Sequence, residues 1–201
     1  MTTHRLLDIR EYRVRLPEPL FPYRAKDDIE VCRVGDCHGA GWLAVAELPA
    51  DFFCSDFEHR NPLNMPGPFY GAETDTCQTG VAEAPNNVLM DERGQEFVFK
   101  QPEVAAELRD VLSAALCECF NGYGADGDRH WTLALIREWW ATRFDLLKRA
   151  DAMADEAEVR RWRQMLAGDA EEYLRAYAFF VEEGKVPTDS DRLPDLLAER
   201  W

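Results

Sequence analysis

The stretch NNVLMDERGQEFVFK, residues 86–100, decides the fold class of this chain. Two short apolar runs flank a polar segment that contains Gly94, which is typical of a β-hairpin. After Pro102 the apolar residues recur every three or four positions, as they do on one face of an amphipathic helix. The sequence therefore indicates that strands give way to helices at residue 101.

The C-terminal part, residues 102–201, is predicted to consist of three or four amphipathic helices. Apolar residues follow the helical period in three segments, which are 103–120, 132–149 and 156–183. Thr132 is a candidate N-cap for the second segment, because its hydroxyl can accept a hydrogen bond from the first helical turn. Gly168 interrupts the third segment, and Asp169 is placed to begin a separate helix.

The N-terminal part, residues 1–101, is predicted to be rich in β-structure. Alternating apolar residues or short apolar runs indicate strands in three segments, which are 5–16, 29–34 and 41–48. Strands followed by helices predict an α+β fold, in which the helices pack on one face of a mostly antiparallel β-sheet. No repeat or linker divides the sequence, so residues 1–201 are expected to form a single domain.

The segment 49–86 shows no clear period of either kind, and it contains five prolines. Compact domains rarely contain so long an irregular connection, so the segment either holds elements without a recognisable pattern or serves the function of the protein. Residues 67–87, which overlap the end of this segment, contain Thr, Asn and Asp side chains, which hydrogen-bond readily to nearby backbone groups. We predict an irregular, self-hydrogen-bonded loop there.

The net charge is −15, and most of it comes from the middle of the chain. Residues 34–127 carry 16 acidic and four basic side chains. Such a field repels nucleic acid and anionic membranes, and it attracts cationic partners. No apolar run is long enough to span a membrane and the first residues do not resemble a signal peptide, so we expect a cytoplasmic protein.

Common catalytic and cofactor motifs are absent from the sequence. It contains no G-x-x-x-x-G-K-[ST] phosphate loop, no strand–G-x-G-x-x-G–helix unit and no G-x-S-x-G elbow, so no cofactor is expected. Cys32, Cys37 and His38 come nearest to a metal site. Zinc sites usually show two closely spaced pairs of ligands, so no metal site is predicted, although the sequence leaves metal binding by these three residues open.

The stretch NGYGADGDRHW, residues 121–131, is rich in Gly and Asp but lacks the spacing of an EF-hand calcium loop. We interpret it as the end of the preceding helix, with Gly122 or Gly124 adopting a positive φ.

The candidate site residues lie in the 67–87 loop. They are Tyr70, Glu73, Asp75, Cys77, Glu83 and Asn86. Paired carboxylates can perform acid–base chemistry or present negative charge to a basic partner. A thiolate nucleophile at Cys77 is disfavoured, because neighbouring carboxylates raise the pKa of a thiol.

Two functional hypotheses of different class remain. The favoured one is an acidic cytosolic binding protein without catalysis, of the kind formed by immunity proteins and inhibitors that block a basic site on a partner protein. The alternative is an enzyme or small-ligand-binding protein that uses the 67–87 loop. The aromatic residues of the helices, Trp139 and Trp140 among them, are predicted to form a core, although part of AYAFFVEEG, residues 176–184, could contact another copy of the chain and form a homo-oligomer.

Overall fold

The computed structural model describes residues 13–14, 29–30, 53–153 and 155–197. Within these ranges five α-helices combine with short antiparallel strands, which confirms the mixed α+β class. The helices are α1 (Thr79–Glu83), α2 (Ala105–Cys117), α3 (Leu133–Ala150), α4 (Glu156–Ala167) and α5 (Ala170–Glu183). The strands are β1 (Arg13–Val14), β2 (Ile29–Glu30), β3 (Tyr70–Gly71), β4 (Val88–Met90), β5 (Glu96–Val98) and β6 (Tyr123–Gly124).

The described strands pair as two-stranded antiparallel sheets. Strands β1 and β2, which fall in the predicted segments 5–16 and 29–34, pair with each other. The predicted strand at 41–48 lies outside the described residues, so the larger N-terminal sheet stays a prediction. Strands β4 and β5 form the predicted hairpin, and Gly94 in its turn has a φ of 78°.

The third sheet corrects the boundaries that the sequence suggested. Strand β3 pairs with β6, with Tyr70 opposite Gly124, so the part predicted to be helical contains a strand. The segment 49–86 contains β3, α1 and a 3-10 turn at Phe57–His59. Strands β3 and β6 have two residues each and helix α1 has five, so none of these elements is long enough to produce a recognisable apolar period.

The turn between α2 and β6 also differs from its prediction. The residue with a positive φ is Asn121, at 55°, and neither Gly122 nor Gly124 has one. Both positions instead require glycine because another part of the chain approaches their backbone closely. A Cβ on Gly122 would lie 2.6 Å from the backbone oxygen of Glu73, and a Cβ on Gly124 would overlap the ring of Tyr70.

The sequence signals locate the start of α3 and the break between α4 and α5, whereas α2 is shorter than its predicted segment 103–120. The Thr132 hydroxyl accepts a hydrogen bond from the backbone N–H of Leu135 at 3.2 Å, which confirms it as the N-cap of α3. Helix α4 ends at Ala167 with Gly168 as its C-cap, and α5 begins at Ala170, which confirms the predicted interruption. None of the helices in the described ranges is both long and apolar enough to cross a lipid bilayer.

The β4–β5 hairpin lies between two groups of buried side chains. Phe97 belongs to an aromatic core with α3, α4 and α5, which includes Trp139 and Trp140 and so confirms that both tryptophans are buried. The adjacent Val98 belongs to a second core with Leu108 and other residues of α2. Successive side chains of a strand point to opposite faces. Helices therefore pack on both faces of this hairpin, and the predicted packing of helices on one face of a larger sheet stays a prediction.

Candidate functional site

A groove of about 890 Å³ opens where the hairpin turn meets the β3–β6 sheet. Its lining residues come from four segments, 54–62, 72–74, 93–95 and 120–122. The pairing of β3 with β6 brings two of these segments together, since the Ala72 N–H donates to the Gly122 carbonyl at 2.7 Å. The groove therefore depends on tertiary contacts between segments that are distant in the sequence.

The two arginines of the groove are occupied by contacts within the chain. The guanidinium of Arg60 lies over the ring of Phe57, at 4.0 Å from its centroid, and donates to the Phe57 carbonyl at 2.9 Å. Arg93 forms an ion pair with the buried Asp91 at 3.2 Å. Arg93 is thus paired with a carboxylate of this chain, whereas Arg60 keeps its charge but is held against an aromatic ring and a backbone carbonyl.

The groove also contains three carboxylates, and these face the solvent. Asp56, Glu58 and Glu73 are all exposed. In the described part of the chain, no Lys or Arg forms an ion pair with any of the three. Phe120 lies beside them with 70% of its surface exposed. The groove therefore presents unmatched negative charge next to an accessible aromatic ring.

A second group of titratable side chains lies beneath the adjoining loops. Asp75, Glu96 and Glu118 are buried, with relative exposures of 4%, 0% and 3%. The Glu118 carboxylate accepts hydrogen bonds from the backbone N–H groups of Asp75, Phe120 and Gly122. Part of the acid in the middle of the sequence is therefore internal, where it holds loops together rather than charging the surface.

Glu96 is the most deeply placed of these carboxylates. Its Oε1 accepts from the backbone N–H of Gly80 at 2.7 Å, and its Oε2 accepts from the hydroxyl of Tyr123 at 2.7 Å. Burial raises the pKa of the Glu96 carboxyl, and the nearby charges of Asp75 and Glu118 act in the same direction.

Two exposed thiols, Cys77 and Cys119, meet at the carboxylate of Asp75. The Cys119 Sγ donates to Asp75 Oδ2 at 3.1 Å, and the backbone N–H of Cys77 donates to Oδ1 at 2.7 Å. The charge of Asp75 raises the pKa of the Cys77 thiol, and the hydrogen bond to Asp75 raises that of Cys119. This agrees with the expectation that carboxylates disfavour a Cys77 thiolate. Asp75, which is close in the chain as expected, has the largest effect on the Cys77 thiol, and Glu96 and Glu118, which are distant in the sequence, add to it.

The six candidate residues do not line one pocket. Asp75 and Cys77 are together in the cluster just described, and Glu73 lies in the groove. Tyr70 is buried, and its hydroxyl oxygen lies 2.7 Å from the Ser55 carbonyl oxygen and 2.8 Å from Asp126 Oδ1, so its one proton is shared between two acceptors.

The other two candidates lie away from both places. Glu83 at the end of α1 accepts a hydrogen bond from the Ser113 hydroxyl of α2 at 2.9 Å, and Asn86 is exposed. Sequence reasoning missed Glu118 and Cys119, which lie more than forty positions from Asp75 in the chain. It also missed Phe120, whose exposure no local pattern signals.

Comparison with known proteins returned no match among protein-family models, curated proteins or solved structures.

The buried Glu96 predicts a pH dependence of stability. Because its pKa in the folded protein is raised above 4.5, its stabilising contribution is complete below that pH and is lost as the pH rises through the folded-state pKa. We expect Glu96→Gln to remove this decline. Urea denaturation of both proteins between about pH 4 and 8, with a chelator present, measures the difference. Parallel curves for the two proteins would contradict the prediction.

Proposed function

We propose that this chain is an acidic binding protein without catalysis, which holds a basic segment of a partner protein in the groove. The observation that carries the proposal is the charge imbalance of the groove. Three exposed carboxylates have no basic partner within the described residues, whereas both arginines are occupied. Complementary charge accelerates encounter and selects the partner. An immunity protein or inhibitor that acts in the cytoplasm is the functional class that this arrangement fits best.

Phe120 defines the other half of the expected recognition. An exposed aromatic ring costs free energy in water, and aromatic residues commonly anchor protein interfaces. Its position next to Asn121 and Gly122 places the ring at the edge of the groove. We therefore expect the partner segment to combine Lys or Arg side chains with an apolar residue that covers Phe120.

A defined probe can test the groove directly. We would titrate the protein with a short fluorescent peptide that is rich in Lys and Arg and has a central Leu, and measure anisotropy at low and moderate salt. Combining Asp56→Asn, Glu58→Gln and Glu73→Gln should weaken binding by about 0.6–3 kcal/mol, since each exposed ion pair contributes roughly 0.2–1 kcal/mol. The same variant should bind with a weaker dependence on salt. Asn at position 56 retains an oxygen that can cap the turn at Phe57–His59.

The matched control changes the net charge equally at exposed positions outside the groove. It combines Glu182→Gln, Glu183→Gln and Asp189→Asn. This variant should retain the affinity of the parent. If both variants lose the same affinity for the peptide, the peptide is attracted by the total charge and not by the groove. If the parent does not bind the peptide even at low salt, the groove is not a site for basic segments.

The alternative proposal, a small-ligand site at the 67–87 loop, has one observation in its favour. Asp75 and Cys77 of that loop converge with Glu118 and Cys119 from the end of α2. A site of this composition suits a metal ion better than an organic substrate, because both thiol pKa values are raised and nucleophilic attack is disfavoured.

A further inference from the structure

The thiol–carboxylate cluster brings potential metal ligands together from two chain segments. The Cys119 Sγ and carboxylate oxygens of Asp75 and Glu118 all lie within 4.8 Å of one another. Ligands of a tetrahedral zinc ion lie about 3.3–3.8 Å apart, given zinc–ligand bonds of roughly 2.0–2.3 Å. Modest side-chain adjustment would therefore bring these three atoms onto one ion. Cys77 lies outside this group of three, but it interacts with the same Asp75 carboxylate and is exposed, so a change in its side-chain rotamer would supply a fourth ligand.

The electrostatics of the cluster independently favour a cation. Asp75, Glu96 and Glu118 are buried close enough for their charges to affect one another. Among the ion pairs of the described ranges, none involves any of these three carboxylates. Their partners are neutral donors, namely backbone N–H groups, the Tyr123 hydroxyl and a thiol. Buried charges are normally paired or bound to a metal, and within the described ranges this group has no paired cation.

We propose that Asp75, Cys77, Glu118 and Cys119 bind a divalent cation that favours thiolate ligands, represented by Zn²⁺. Two cysteines and two carboxylates are ligand types that zinc accepts in a closed four-coordinate site. The site would join the loop before α1 to the loop after α2 and therefore act structurally. Its four ligands adjoin the groove but are not among the residues that line it, and the site does not depend on the proposed binding function.

Cation binding has a defined proton balance. Both thiols are protonated in the free protein, and each S–H proton leaves when its sulfur binds the ion, so one Zn²⁺ releases two protons to the buffer. The ion then occupies the place of the proton that Cys119 donates to Asp75 Oδ2. A divalent charge reverses the effect of the carboxylates on the thiols, because a metal stabilises the thiolates that the carboxylates disfavour.

The test uses the purified full chain after treatment with a chelator. We expect calorimetry to show one equivalent of Zn²⁺, and Co²⁺ to give thiolate-to-metal charge-transfer absorption. Cys77→Ser combined with Cys119→Ser should abolish that absorption and weaken Zn²⁺ binding by more than about 100-fold, since loss of supporting residues alone costs 10–100-fold. Cys32→Ser combined with Cys37→Ser is the matched control and should retain both signals. Retention of the signals in the first variant, or their loss only in the control, would overturn the proposal.

Thiol protection in the parent protein gives a second test that needs no variant to fold. Cys54, Cys77 and Cys119 are all exposed and free, so each should be alkylated in the presence of a chelator. Added Zn²⁺ should protect Cys77 and Cys119 while Cys54 continues to react, as measured by mass spectrometry of peptides. Equal alkylation of all three with and without Zn²⁺ would overturn the proposal, and it would leave the peptide-binding result at the groove unaffected.

Discussion

Replacing Trp162 with alanine is expected to lower the free energy of unfolding by about 3–5 kcal/mol, the usual cost of removing a buried large aromatic side chain. Trp162 has no exposed surface, and its ring packs edge-on against Phe97 and Trp139, with centroid distances of 5.6 and 6.2 Å. It therefore connects α4 to both the hairpin and α3. The cavity left by alanine would open at the centre of the aromatic core, where surrounding rings cannot easily collapse into it.

Urea denaturation measures this loss, and Phe144→Ala provides the comparison. Phe144 lies on the same group of helices but is 62% exposed, so its removal should change stability by no more than about 0.5 kcal/mol. Trp162→Phe, which keeps an aromatic ring, should cost less than Trp162→Ala. A loss below about 1 kcal/mol for Trp162→Ala would mean that this core does not stabilise the fold as described.

Replacing Asn64 with alanine is expected to cost about 2–6 kcal/mol through hydrogen bonding rather than packing. Its Oδ1 accepts from the backbone N–H groups of Gly71 and Val98, at 2.9 and 2.8 Å. Its Nδ2 donates to the carbonyls of Asn61 and Gly71, both at 2.7 Å. Alanine would leave the two N–H groups buried without a partner, and each such group costs about 1–3 kcal/mol.

The matched control is Asn86→Ala, because Asn86 is exposed, and this change should be nearly neutral. Chemical denaturation again supplies the measurement. Hydrogen exchange gives a more specific test. The amides of Gly71 and Val98 should exchange faster in Asn64→Ala than in the parent, by more than the loss of global stability alone explains. Unchanged protection of both amides would show that Asn64 does not join β3 to β5 in solution.

Local sequence patterns predicted those parts of the fold that depend on interactions between residues close together in the chain. The β4–β5 hairpin, the N-cap at Thr132 and the break at Gly168 all result from residues within a few positions of one another. The β3–β6 sheet could not be predicted in this way, because its two strands have only two residues each and lie far apart in the chain. Gly124 is small because Tyr70 occupies the adjoining space, and no local pattern contains that information.

The candidate site depends even more on contacts between residues that are distant in the sequence. Asp75 and Cys77 could be selected from one loop, but Glu118 and Cys119 reach them only through the folded chain. The acidic middle of the sequence indicated a charged surface, whereas burial places Glu96 inside, against Tyr123. Composition counts charges without distinguishing those that face solvent from those that hold loops together.

The pairing of β3 with β6 also determines when the groove can form during synthesis. Tyr70 can pair across the sheet only after Gly124 has been synthesised, and the two walls of the groove come together only then. Closing so long a loop costs chain entropy that later contacts must offset, which makes such pairings slow relative to hairpins and helices. On the ribosome, the β4–β5 hairpin and α2 can therefore form while the groove is still open. A nascent chain that ends before β6 would expose its acidic residues without the concave surface, so the proposed binding of a basic segment would require that strand to have emerged.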